Sequence, residues 1–156
     1  MSLSIVGTAD KAASFARLTD IPNSVTYSAT GSPTLTAAQS GNVILFDSAS
    51  TTVTLPAVQA GLMFTFVSTI TANTSQKVIT AGGALIYGGL YIGTVTTTNF
   101  FAANGTSHIA VIMNGTSQGG VKGSYFTLVC DGTAWYIVSG MLNGTATAGA
   151  TPFSAS

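Results

Sequence analysis

The chain has 156 residues, enough for one domain with a sizeable core. Only 5% of them are charged, none is glutamate and the net charge is zero, against about 25% charged residues in an ordinary soluble domain, so neither nucleic acid nor an acidic membrane surface finds much to hold. Mean hydropathy is +0.51, yet no apolar run approaches the ~20 residues of a spanning helix, and the single cysteine, Cys130, has no internal disulfide partner.

The N-terminus, Met1-Ser2-Leu3-Ser4-Ile5-Val6, lacks a basic segment followed by a long apolar one, so no secretory signal is expected. Asp10 to Leu18 predicts a short helix, with Thr8 or Asp10 as N-cap and Phe15 and Leu18 on one face. Pro22 closes this segment. So short a helix is not stable alone and needs a surface to pack on. Residues 1–22 therefore read as an arm.

Residues 23–142 read as a β-sandwich. Strands are predicted at Val25–Tyr27, Asn42–Asp47, Thr51–Leu55, Leu62–Ser68, Gln76–Thr80, Leu90–Thr96, His108–Met113, Tyr125–Cys130 and Trp135–Ser139, with another over Ala84–Tyr87. They are short, rich in β-branched and aromatic residues, and punctuated by Gly, Asn, Ser or Asp. Strands at this spacing, without intervening helical patterns, indicate an all-β sandwich or barrel.

A short repeat lies within it. Thr34 to Gly41, followed by Asn42-Val43-Ile44-Leu45-Phe46, is echoed by Thr54 to Gly61 and Leu62-Met63-Phe64-Thr65-Phe66. Thr36 and Gln39 fit a capping box and Gly41 a helix stop, while Pro56 and Gly61 fit the start and stop of a second helical turn. Two copies are too few for a solenoid, and local convergence on one turn chemistry explains them equally well. The clearest hairpin spans Tyr125–Ser139 with Asp131-Gly132 at its tip. Phe126, Leu128 and Cys130 alternate along its first strand, and Tyr136 and Val138 fill the face opposite Trp135 and Ile137. Leu62, Phe64 and Phe66 likewise alternate with Met63, Thr65 and Val67. Strands with two half-apolar faces are buried by a second sheet or by another subunit.

Residues 143–156 form a small, polar tail with Pro152 and Phe153 near its end. Alone it is expected to lack structure. A neighbouring chain is the simplest expected holder of both termini, the alternative being that they fold back on their own domain; the first makes Leu3, Ile5, Phe15, Leu18, Pro152 and Phe153 the candidate interface residues.

Little in the chain points to catalysis. Gly115-Thr116-Ser117-Gln118-Gly119 matches the nucleophile-elbow pattern, but that chemistry needs a helix after the serine and a histidine later in the chain. The lone histidine, His108, lies upstream. One histidine is no metal site, since zinc takes three or four ligands. Asp10, Asp20, Asp47 and Asp131 are scattered, without calcium-loop spacing. Asn73, Asn104, Asn114 and Asn143 open glycosylation sequons, and turn chemistry accounts for the three Asn-Gly pairs among them. No catalytic residue, cofactor or metal is expected.

Leu35-Thr36-Ala37-Ala38-Gln39-Ser40-Gly41, a strand ending in Asp47, then Val53-Thr54-Leu55-Pro56-Ala57 and Gly61 before an aromatic strand, is similar to β-sandwich modules of tailed-bacteriophage virion proteins. Cys130-Asp131-Gly132-Thr133-Ala134-Trp135-Tyr136 resembles their last hairpin. The likeness covers residues 34–68 and 125–139. It implies an all-β fold, an antiparallel, jelly-roll-like β-sandwich, and a structural protein, often trimeric, on the outside of a virion, contacting the major capsid protein and copies of itself. A chain that begins at Met1 without a shaft is expected to be a capsid decoration (cement) protein. The alternative is a receptor- or glycan-binding fibre tip, with Tyr87, Tyr91, Phe100 and Phe101 stacking on sugars.

Overall fold

A computed structural model of the chain describes residues 26–156. The expected N-terminal helix, and with it Leu3, Ile5, Phe15 and Leu18, lies outside the described residues. The strands are β1 (Thr26–Ser28), β2 (Val43–Phe46), β3 (Thr51–Thr54), β4 (Met63–Ser68), β5 (Gln76–Ile79), β6 (Ile86–Tyr87), β7 (Gly89–Gly93), β8 (Thr98–Ala102), β9 (Ala110–Met113), β10 (Tyr125–Cys130), β11 (Trp135–Asn143) and β12 (Phe153–Ser154). A large sheet runs β1-β2-β4-β10-β11-β7-β8, with β6 also beside β11, and a small sheet runs β12-β9-β5-β3. The two enclose one core between them.

The sandwich is all-β, but its sheets are mixed rather than antiparallel. β1, β2 and β4 run parallel to one another in the large sheet, β6 and β7 run parallel to β11 there, and β3 runs parallel to β5 in the small one. The internal repeat is the cause. Each copy starts in the small sheet, turns, and delivers a strand to the large one. Leu35 N–H donates to the carbonyl of Thr54, and Leu55 N–H donates to that of Ile79, both at 2.8 Å. Asn42 N–H reaches the carbonyl of Gln39 at 3.2 Å, and Leu62 N–H reaches that of Gln59 at 3.3 Å. Gly41 and Gly61 hold φ of +88° and +86°, a left-handed conformation that a side chain would strain. The copies therefore stack as successive rungs of a short coil. Only the first has the expected helical turn, a 3-10 turn at Ala37–Gln39 in which Gln39 Oε1 accepts the Thr36 N–H at 2.8 Å. The turn expected from Pro56 is absent.

The β10–β11 hairpin lies antiparallel to β4 and separates this coil from β6, β7 and β8. Its turn uses Gly132 at φ +102°, as the Asp-Gly pair predicts. β11 runs on to Asn143, beyond the predicted Ser139, and a bulge between Thr127 and Leu128 shifts its register. The predicted strand over Leu90–Thr96 stops at Gly93. There the Thr94 N–H donates to the Thr97 carbonyl at 2.7 Å and turns the chain back into β8.

The expectation for the C-terminal tail is corrected. β12 pairs antiparallel with β9, and Pro152 and Phe153 are buried in their own domain. Phe153 also stacks on His108, with ring centroids 5.6 Å apart. The apolar pair thus completes the small sheet's core and is not offered to a neighbour.

Inside, Phe66 stacks on Phe126 at 5.0 Å and tilts against Phe46 at 6.1 Å, while Phe64 meets Trp135 at 6.0 Å. Buried Ser68 of the large sheet and Gln76 of the small one are bonded to each other. Ser68 Oγ donates to Gln76 Oε1 at 2.8 Å, and Gln76 Nε2 donates to the Ser48 and Ile70 carbonyls at 2.9 and 3.1 Å. Gly140 on β11 faces this core. A Cβ there would lie 2.4 Å from Leu90 Cδ2 and 2.6 Å from Phe126 Cβ. Gly140→Ala is predicted to cost about 1–3 kcal/mol by overpacking, read as a lower urea midpoint. An unchanged midpoint would show that the strands part freely at this point.

Candidate functional site

The groups considered for chemistry do not converge. Ser117 lies in the loop after β9, and no helix follows it. His108 lies before β9, so a whole strand, on the order of 20 Å, separates the two. His108 Nδ1 accepts the Asn104 N–H at 2.9 Å. Cys130 is a buried core residue. Among the described residues, no group of three or more His, Cys, Asp or Glu side chains is placed to hold a metal ion.

Asn104 and Asn114 are turn formers. Asn104 Oδ1 accepts the N–H groups of Thr106 and Ser107, each at 3.0 Å. Asn114 Oδ1 accepts those of Thr116 and Gln118 at 2.9 and 3.0 Å. The third Asn-Gly pair is different. Asn143 ends β11, and Gly144 is required by space, since a Cβ would sit 2.0 Å from the Thr116 carbonyl oxygen.

Exposed apolar side chains are instead concentrated on the outer face of the large sheet. Of the ten large hydrophobic residues that are exposed among those described, seven lie there: Met63, Tyr91, Phe100, Tyr125, Tyr136, Val138 and Met141. The registers line up the first of its rows: Ser28, Leu45, Val67, Tyr125, Met141, Tyr91 and Phe100, one residue from each of seven neighbouring strands. A second row, Val43-Thr65-Thr127-Ser139, carries a Thr65–Thr127 hydroxyl hydrogen bond of 3.0 Å. A third runs Met63-Val129-Tyr136-Tyr87, with the two tyrosine rings stacked at 5.4 Å. The β11 bulge sets Val138 and Ser139 together opposite Thr127, so two consecutive side chains point outward.

No residue in these rows is charged. The charged residues among those described stand elsewhere: Lys77 on the small sheet, Lys122 in the loop before β10, Asp47 after β2, and Asp131 in the turn at the rim of the face. The rows could not be read from spacing alone, because they depend on which strands are neighbours. Of the four aromatic residues proposed for sugar stacking, Tyr91 and Phe100 are 53% and 56% exposed and meet at 5.1 Å. Phe101 packs against the core, and Tyr87 is covered by Tyr136.

Comparison with protein-family models, curated proteins and solved structures finds no match to this chain.

Two carboxylates hold the ends of the large sheet. Hydrogen bonds from the Ser28 and Thr30 hydroxyls hold Asp47 below its ordinary pKa. The backbone N–H groups of Thr133 and Ala134, joined by the Thr133 hydroxyl, hold Asp131 far below the usual carboxylate range. That carboxylate in turn raises the neighbouring Tyr136 phenol. A depressed folded pKa adds stability above the unfolded value of about 4, and that stability is lost as pH falls below it. The urea midpoint is therefore predicted to drop between about pH 6 and about pH 2. Asp131→Asn is predicted to lower the midpoint at neutral pH and to flatten this slope. A slope equal to wild type would contradict the assigned hydrogen bonds.

Proposed function

We propose that this chain is a non-enzymatic structural protein of a bacteriophage virion, which decorates the capsid exterior and stabilises it by binding the shell as a homotrimer. The observation that carries the assembly role is the uncharged, aromatic-rich outer face of the large sheet. Left in water, such a face forgoes about 25 cal/mol for each Å² of apolar surface that contact would cover. The small charge of the chain points the same way, because it gives free copies little mutual repulsion. The likeness of residues 34–68 and 125–139 to phage virion modules supports the step from assembly to capsid. The major capsid protein and other copies of the chain are the partners this reading requires.

A second reading rests on the exposed Tyr91–Phe100 pair. Two aromatic rings at a sheet edge offer stacking faces of the kind a sugar ring uses, which suits a receptor- or glycan-binding fibre tip.

Purified phage shells lacking the chain, mixed with the full chain and sedimented, test the first reading. Saturable co-sedimentation and a higher melting temperature of the shell are predicted. Failure to bind any shell, together with binding to defined sugars on a glycan array, would replace it with the second.

A further inference from the structure

We infer that the outer face of the large sheet binds a second copy of this chain. The inference rests on the assembly reading above and names the partner for this surface.

Size is the first argument. Seven neighbouring strands at ~4.8 Å spacing and about six residues of strand length give a face of roughly 34 by 20 Å, on the order of 700 Å². This approaches the ~800 Å² each partner gives to a stable interface. The face is also continuous, since the row through Tyr125 and Met141 crosses all seven strands of the path β1-β2-β4-β10-β11-β7-β8.

Chemistry selects the occupant. The polar groups in the rows are Ser and Thr hydroxyls and four tyrosine phenols, and each such hydroxyl can both donate and accept a hydrogen bond. Apolar and hydroxyl groups complement a surface of the same kind, whereas a charged partner would find no counter-charge in the rows. A copy of this chain brings that same neutral surface, so a two-fold axis can pair it with itself, a contact distinct from the one that closes a trimer. Midway along the first row, Tyr125 and Met141 are 43% and 40% exposed and offer large side chains to the contact.

Analytical ultracentrifugation of the full chain over a range of concentrations tests this. The wild type is expected to sediment as a multiple of 15.6 kDa. Met141→Lys and Tyr91→Lys each bury a charge at the contact and are expected to weaken association about tenfold or more. Thr74→Lys, exposed in the loop before β5 on the small-sheet side, is expected to leave it unchanged. Thermal melts of all three check that each is folded, and the wild type's own concentration dependence needs no variant. A wild type that stays at 15.6 kDa up to about 100 µM overturns the inference. So does a Thr74→Lys chain that dissociates as readily as Met141→Lys. A monomer that still binds shells would discard this self-contact and leave the virion role standing. An oligomer that binds no shell would do the reverse.

Discussion

The strict alternation of β4 is the constraint on which the rest of the structure depends. Its residues pair with β2 on one side and β10 on the other. Phe64, Phe66 and Ser68 enter the core, and Met63, Thr65 and Val67 face out. A slip of one residue would exchange the two sets. It would also break three other features: the Phe46–Phe66–Phe126 aromatic series, the Ser68–Gln76 bond between the sheets, and the alignment of the outer rows. Both the core and the outer face are thus fixed by one register. That register is locked because only one of the two sets carries the two phenylalanines that the core accepts.

Much of this fold is legible in the sequence, because short alternating segments bounded by turn residues mark strands locally. β2 to β5, β7, β9 and β10 follow directly from that pattern. Two strands do not. β8 begins Thr98-Asn99 and follows a run of threonines, so its apolar signal is confined to Phe100 and Phe101. β12 is two residues long and gains its stability from pairing with β9, which no local pattern announces. The direction of pairing was also hidden. An antiparallel sandwich is the ordinary outcome for short strands with small turns. Here a repeated segment crosses between sheets before each strand, and that makes the neighbours parallel. The repeat was visible as matching residues, but its meaning required the shared hydrogen bonds of Leu35 and Leu55.

The candidate site was half legible for a related reason. Strands with two apolar faces at Leu62–Val67 and Tyr125–Ser139 signalled that something beyond the core needed covering. Which side chains form one surface could not be read, since Tyr91, Met141 and Tyr125 are far apart in sequence and meet only through strand order. The motifs that invited chemistry are explained by local geometry. Asn104, Asn114 and Asp131 are acceptors for nearby backbone N–H groups. Gly115 and Gly144 lie where a Cβ would strike the carbonyl oxygens of Ala72 and Thr116. At the C-terminus, Pro152 and Phe153 serve their own core.

Two methionines offer a direct reading of the central claim that the outer face is covered in the working assembly. Met63 and Met141 stand on that face at 42% and 40% exposure, while Met113 is 1% exposed in the core. Peroxide converts exposed methionine to sulfoxide faster than buried methionine. Rates measured residue by residue, in the dilute chain and in the assembled state, should show Met63 and Met141 slowed on assembly toward the rate of Met113. Equal rates for both residues in the two states would mean that the face stays open to solvent and would contradict the account.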